Sequence, residues 1–249
     1  MSYRGMVADI VSFKGFHGAT GEAYYARPSG KGPFPGVVLI HHMPGWDDWT
    51  MEATRKLAHH GFAAIAPHLY FRHAPGTPDD LAAKARAAGG ASDAEVVGDV
   101  KGAMDFLRAQ SEGNGKVGVM GFCSGGRHTF LAACQLEGVD AAVNCWGGNV
   151  VVDDASQLSP LLRPVAPIDL TEGLKAPLLG LFSNDDKNPS PTHVNTLEAK
   201  LTSLGKAHEF HRYDGAGHGF FASERPNYRV EQANDGWQKT YAVFHKHLG

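Results

Sequence analysis

The 249-residue sequence has few cysteines and no long apolar or basic runs, and these gaps exclude several classes of protein. Its three cysteines, Cys123, Cys134 and Cys145, form no C-x-x-C pair, so we expect neither a disulfide framework nor a zinc or redox pair of that type. No stretch approaches the roughly 18 apolar residues of a membrane span, so we expect no membrane association. Residues 1–11 lack the apolar core of a signal peptide, which predicts a cytoplasmic protein.

A large excess of charge of one sign is also missing. The 23 basic and 26 acidic side chains give a formal net charge of −3 at pH 7, and no basic cluster could follow a phosphate backbone. We therefore expect no nucleic-acid partner. The sequence also lacks internal repeats and linker-like segments, and its 43% of hydrophobic residues fits one globular domain over residues 1–249.

Short apolar runs alternate with helix-compatible segments along most of the chain. Residues 7–13 and 22–27 predict an antiparallel hairpin at a sheet edge. Strands are predicted at residues 37–40, 62–66, 116–120, 141–145, 178–182 and 208–213, and the first is a continuous apolar run of the kind buried on both faces of a parallel sheet. Helices are predicted at residues 50–60, 93–110, 125–136, 192–204 and 229–248. The alternation predicts an α/β fold with a mostly parallel, doubly wound sheet, whose sites lie at the carboxyl ends of its strands.

Two stretches break this alternation, residues 71–92 and residues 150–175. The first is rich in Ala, Gly and Pro, and the second is irregular and carries three prolines. We expect loops in both places. Long loops of this kind often cover an active site.

Residues 121–125 read Gly-Phe-Cys-Ser-Gly, the pattern of a nucleophile elbow with cysteine in place of the usual serine. An apolar run precedes the motif and a helix-compatible segment follows it. Glycine is needed on both sides because the turn is strained and the neighbouring chain passes close by. We therefore expect Cys123 to be the nucleophile, although an inert cysteine packed in the turn is the alternative. Ser124 is a poorer candidate, because a frame shift of one would put Phe122 where the turn needs glycine.

A cysteine nucleophile requires a base and an orienting carboxylate. The candidate base is His218, which lies between two glycines just beyond the predicted strand at 208–213. Asp185 and Asp186 follow the strand at 178–182, and either could reach the imidazole, with Asp186 preferred. The chain order Cys, Asp, His is that of α/β-hydrolases. The dipole of the helix after Cys123, together with the His218 ring, would favour the thiolate.

The oxyanion of such a reaction needs backbone donors. We expect them to be the N–H groups of Ser124, after the nucleophile, and Met43, after the strand that ends at Ile40. We expect no metal and no cofactor. The histidine pairs at 41–42 and 59–60 lack i, i+4 spacing, and neighbouring residues on a strand point to opposite faces.

Four motifs are shared with a known family. They are Gly-Phe-Cys-Ser-Gly-Gly at 121–126, Pro-His-Leu-Tyr at 67–70 followed by Ala-Pro-Gly-Thr at 74–77, Asn-Gly-Lys-Val-Gly at 114–118, and Ala-Gly-His at 216–218. Over nearly its whole length, the chain resembles the dienelactone hydrolase family, the cysteine-dependent branch of the α/β-hydrolases. The resemblance implies a triad of Cys123, Asp186 and His218, because the family's acid falls at Asp186. It also implies hydrolysis of an ester or lactone through a thioester intermediate.

Two departures from the family bear on the substrate. The best-known members have a glutamate, which interacts with the resting thiol, where this chain has His42. They also hold a substrate carboxylate with two arginines, but residues 219–222 contain none and Arg86 is only a candidate match for the other. Losing an arginine fork costs charge-assisted, bidentate hydrogen bonds. These departures predict a neutral or aromatic small-molecule substrate.

Several interpretations remain open at this stage. Trp46, Trp146, Phe220 and Phe221 could line an aromatic acyl pocket or pack in the core. His42 could be a cationic partner of the thiolate, a ring that polarises the substrate, or a structural residue. The alternative function is a thiol sensor or binding protein that reacts without turnover, and acyl transfer is a third. The protein could be a monomer or a homodimer.

Overall fold

A mostly parallel sheet of eight strands forms the centre of the protein, as seen in a computed structural model that describes residues 5–249. The strands are β1 (Met6–Lys14), β2 (Thr20–Pro28), β3 (Phe34–Ile40), β4 (Ala63–Pro67), β5 (Gly113–Phe122), β6 (Ala141–Cys145), β7 (Leu178–Ser183) and β8 (His208–Tyr213). Their spatial order is β1-β2-β4-β3-β5-β6-β7-β8. The predicted hairpin β1–β2 forms one edge, and β2 pairs antiparallel with β4. Residues 1–4, part of the segment used in the signal-peptide expectation, lie outside the described residues.

Helices cover both faces of this sheet. They are α1 (Asp48–His59), α2 (Pro78–Ala87), α3 (Asp93–Arg108), α4 (Ser124–Gln135), α5 (Pro191–Ser203) and α6 (Val230–Leu248). The core has two parts, one under α1 and α6 and the other under α2 to α5. Val37 belongs to the first part and Val38 to the second, because neighbouring residues of a strand point to opposite faces. This explains why β3 is apolar and buried at every position.

The sequence analysis missed helix α2, which lies inside the stretch expected to be a loop. Thr77 caps the helix by accepting from the N–H of Asp80, whose carboxylate accepts from Thr77 in return. Pro78 occupies the first helical turn, where its missing N–H costs nothing. The loop prediction is therefore wrong for residues 78–87, whereas residues 150–175 are irregular apart from short 3₁₀ turns. No helix within residues 5–249 has both the length and the apolar character needed to cross a bilayer.

Candidate active site

Cys123 lies in a sharp turn at the carboxyl end of β5, just before α4. Its backbone has φ 55° and ψ −120°, a strained conformation for a residue with a side chain. A Cβ on Gly121 would overlap the carbonyl oxygen of Gly125, and a Cβ on Gly125 would overlap that of Ile40. Both positions therefore require glycine. The strand, the strained turn and the helix are those of a nucleophile elbow.

His218 is paired with Asp186 in the loops after β8 and β7. The Nδ1 atom of His218 lies 2.7 Å from Oδ2 of Asp186. Asp186 is 6% exposed, and its Oδ1 accepts the N–H of Asn188 at 2.9 Å. Asp185, the alternative left open by the sequence, has an exposed side chain instead. The structure thus brings Asp186, not Asp185, to the histidine.

The environment of His218 favours its protonated form. Burial of the ring disfavours a positive charge, but the hydrogen bond to Asp186 and the neighbouring Cys123 side chain outweigh it. Together they raise the pKa of His218 to about 10. An imidazolium close to the sulfur is the arrangement that activates a cysteine as a thiolate.

Cys123 and His218 line two cavities, one smaller and one wider. The smaller, with a volume of about 150 Å³, has a largely apolar wall. Its lining includes His42, Pro44, Trp49, Phe122 and Trp146. The wider cavity, with a volume of about 550 Å³, is lined by several cationic side chains. A substrate that reaches Cys123 therefore meets two different surfaces.

Cationic side chains are concentrated in the wider cavity. Arg86, Arg163 and Lys187 line it, and in the described part of the chain none of them has an ion-pair partner. Arg127 also lines it, but Asp93 neutralises this guanidinium through contacts of 2.5 and 2.9 Å. The sequence analysis had named only Arg86. Arg127 could have been found, because it lies four residues after Cys123 and so on the same face of α4.

The aromatic residues predicted for a pocket divide into two groups. Trp146 lines the smaller cavity, whereas Trp46, Phe220 and Phe221 line neither. The indole N–H of Trp46 donates to the carbonyl oxygen of Ala66 at 3.1 Å, and both phenylalanine rings pack against Trp146 in the core. The pocket prediction is therefore wrong for these three residues. Trp49 and Phe122, which the sequence analysis did not name, take their place.

The two predicted oxyanion donors lie together at the wider cavity. Ser124 and Met43 both line it, as does Cys123. Their backbone N–H groups donate to no acceptor within residues 5–249. The hydroxyl of Tyr70 donates to the carbonyl oxygen of Met43 at 3.2 Å, which holds this loop in place. Both N–H groups are thus left for a ligand.

The paired histidines after β3 have different surroundings. His41 is buried, and its Nε2 accepts the N–H of Leu69 at 3.2 Å. Burial lowers the pKa of His41 to about 3, so this ring is neutral and structural. His42 lines the smaller cavity instead, and its Nε2 lies 2.6 Å from Oδ2 of Asp47. Because β3 ends at Ile40, both histidines lie beyond the strand.

Known proteins are similar to this chain in sequence and in fold. The family described as "Dienelactone hydrolase family" matches residues 22–248. A Methylorubrum extorquens protein named "Putative carboxymethylenebutenolidase" is 33% identical over 230 residues, covering 90% of this chain and 76% of that protein. An Escherichia coli protein of the same name is 34% identical over 236 residues, covering 91% and 83%. A crystal structure called "Putative Dienelactone Hydrolase", from Klebsiella pneumoniae, superposes with a TM-score of 0.86 at 31% identity, covering 98% of this chain and 100% of that one.

Proposed function

The chain belongs to the dienelactone hydrolase family, and from that membership we propose that it hydrolyses an ester or lactone through Cys123, His218 and Asp186. One observation carries this proposal. The 2.7 Å contact between His218 and Asp186 lies where Cys123 opens into both cavities. The nucleophile, the base and the orienting acid therefore lie in one site, with the base between the other two, as covalent catalysis requires.

The proposed reaction has two halves. The thiolate of Cys123 attacks the carbonyl carbon, and the N–H groups of Ser124 and Met43 stabilise the resulting oxyanion. Collapse of this intermediate breaks the ester C–O bond, and His218 gives its proton to the leaving oxygen. Water then attacks the thioester while His218 takes a proton from it. The C–S bond breaks, and the acid product leaves with the thiolate restored.

The cavity walls support a substrate with two unlike ends. The apolar wall of the smaller cavity, with Trp49 and Trp146, suits an apolar or aromatic acyl group. The free cations of the wider cavity, Arg86, Arg163 and Lys187, suit a negatively charged leaving part. The neutral or aromatic preference expected from the sequence is therefore kept for the acyl end, and a charged group is added at the other end.

A cytoplasmic setting fits the cysteine chemistry. All three cysteines are free. Burial raises the pKa of Cys134 to about 12 and raises that of Cys145 still further, which makes both thiols inert. Cys123 is the one cysteine that opens to a cavity. A single accessible nucleophilic thiol is best preserved in a reducing compartment.

Hydrolysis of p-nitrophenyl acetate by the wild type, Cys123→Ala and Cys134→Ala tests the proposed function. We expect turnover in the wild type and in Cys134→Ala, and none in Cys123→Ala. Full activity of Cys123→Ala would refute the proposed triad. Fast modification of Cys123 by iodoacetamide, with no turnover across a panel of neutral and anionic esters and lactones, would instead favour the thiol sensor.

A further inference from the structure

Two arginines of the wider cavity have no partner within the protein. The other arginines in residues 5–249 all form an ion pair or donate a hydrogen bond: Arg27, Arg55, Arg72, Arg108, Arg127, Arg212, Arg225 and Arg229. In the same residues, the guanidinium groups of Arg86 and Arg163 do neither. Arg86 lies in the last turn of α2 and is exposed, whereas Arg163 is half-buried. The arginines that lack a partner are thus both found at the cavity that Cys123 lines.

Arg163 is held at the cavity by its backbone. The N–H of Arg163 donates to the carbonyl oxygen of Ser159 at 2.8 Å, and the N–H of Ser159 donates back at 3.0 Å. The carbonyl oxygen of Leu162 accepts the N–H of Asp93 at 2.8 Å, which ties this turn to the start of α3. A Cβ on Gly90 would lie 3.4 Å from Nη1 of Arg163, so the guanidinium lies beside the chain that leaves α2. Its five N–H donors are therefore placed without being used by the protein.

Lys187 adds a third cation from a loop that is fixed on both sides. The N–H of Asn188 donates to Oδ1 of Asp186 at 2.9 Å. The side-chain oxygen of Asn188 accepts the N–H of Asn149 at 3.2 Å, and its amide donates to the side chain of Asn149 at 3.3 Å. The exposed amine of Lys187 itself bonds to no group within residues 5–249. The cavity therefore has a free ammonium beside the loop of the proposed catalytic acid.

No carboxylate balances these three cations. Asp186 is the only acidic residue in the described lining, and it is engaged with His218. Arg127 brings its own counterion, as described above. His128, which also lines the cavity, stays neutral because burial, followed by the charges of neighbours that include Arg127 and Arg163, lowers its pKa well below the usual range. Three positive charges of the wider cavity are thus left for a ligand to neutralise.

From this arrangement we propose that the wider cavity binds a phosphate monoester group carried on the leaving part of the substrate. Such a group has a charge of about −1.5 to −2 at pH 7 and three acceptor oxygens, and guanidinium forks bind it in a bidentate manner. One carboxylate would neutralise one arginine and leave the other cations unpaired. The inference rests on the proposed function, because the bond that breaks is the acyl C–O bond. The phosphate leaves intact on the released alcohol.

Calorimetric titration of Cys123→Ala tests binding without turnover. The probes are phenyl phosphate and phenyl sulfate, which share a shape but differ in charge, since the sulfate keeps a single negative charge at pH 7.5. We expect the phosphate to bind roughly tenfold more tightly, as one further charged hydrogen bond would give. Adding Arg163→Gln or Lys187→Gln should remove most of this preference. The control is Lys175→Gln, because Lys175 is paired with Glu137 at 2.6 Å away from both cavities. Its preference should match that of Cys123→Ala alone.

Turnover of p-acetoxyphenyl phosphate and p-acetoxyphenyl sulfate by the wild type separates this inference from the proposed function. We expect kcat/KM to be roughly tenfold higher for the phosphate. Equal binding of phenyl phosphate and phenyl sulfate would overturn the inference, as would an undiminished preference in an Arg163→Gln variant whose thermal unfolding midpoint is unchanged. Phenylmalonate, a dicarboxylate, would overturn the phosphate assignment by binding as tightly as phenyl phosphate. Failure of the proposed function looks different: phenyl phosphate is bound selectively, but the wild type hydrolyses neither ester.

Discussion

Among single residues, Asp186 controls the charge of its partner His218. Asp186→Asn keeps a polar side chain but removes the negative charge, so the pKa of His218 should fall from about 10 towards its usual 6.5. Turnover should fall by about 10³-fold or more, since the ring also loses its orienting acceptor. An NMR titration of the His218 ring measures the first effect. Asp185→Asn changes the exposed neighbour and should alter neither quantity; a His218 titration that is unchanged in Asp186→Asn would contradict the assignment.

Arg163 tests the charge preference of the wider cavity. Replacing it with glutamine removes a cation that has no ion-pair partner in the described chain. A hydrogen bond to a charged group is worth about 1.5–3 kcal/mol, so kcat/KM for an ester with an anionic leaving part should drop by roughly ten- to hundredfold. The value for p-nitrophenyl acetate should hardly change. Arg108→Gln is the control, because Arg108 bonds to Gly138 at the surface. Equal losses on both esters would rule out charge recognition by Arg163.

Among the secondary-structure elements, the junction of β5 and α4 depends on glycine at Gly125. In Gly125→Ala the new methyl group would overlap the carbonyl oxygen of Ile40, which is backbone and cannot rotate away. We expect a loss of about 3 kcal/mol in the free energy of unfolding, measured with urea. Gly217→Ala is the matched control, because a Cβ there meets no atom within 4 Å. Similar unfolding midpoints for the two variants would show that the elbow is not tightly packed.

The same elements show how far sequence alone could go. The central strands were predictable because runs such as β3 and β4 are apolar at every position, and the elbow because only glycine fits on either side of Cys123. Helix α2 was missed because its capping signal at Thr77 lies among residues of mixed propensity. Phe220 could not be assigned to the pocket or to the core, because a sequence does not say on which side of the chain an aromatic ring lies after a loop. Arg163 belongs to an irregular segment whose path depends on tertiary contacts, such as the bond from the N–H of Asp93 to the carbonyl oxygen of Leu162.

For the whole molecule, the pKa of one histidine is raised and those of two others are lowered, which should give a maximum of the folding stability near pH 6.5. The pKa of His218 is raised, so its contribution is complete below about 6.5 and is lost as pH rises towards 10. Burial lowers the pKa of His41 to about 3 and that of His68 to about 4. Their contributions are complete above about 6.5 and are lost as pH falls towards these values. Urea midpoints at pH 4, 6.5 and 9 measure both limbs; a midpoint that stays level from pH 6.5 to 4 would contradict the acid limb.

In the proposed mechanism, the two cavities lined by Cys123 also set the order in which molecules bind and leave. On that mechanism, once the alcohol has left, the wider cavity is empty while Cys123 still carries the acyl group. The molecule that next enters the wider cavity becomes the acceptor of the acyl group. Water completes a hydrolysis, whereas a better-fitting alcohol would be acylated and carried away. The proposed mechanism would thus make the fate of each acyl group depend on which molecule enters the arginine-lined cavity after the ester bond has broken.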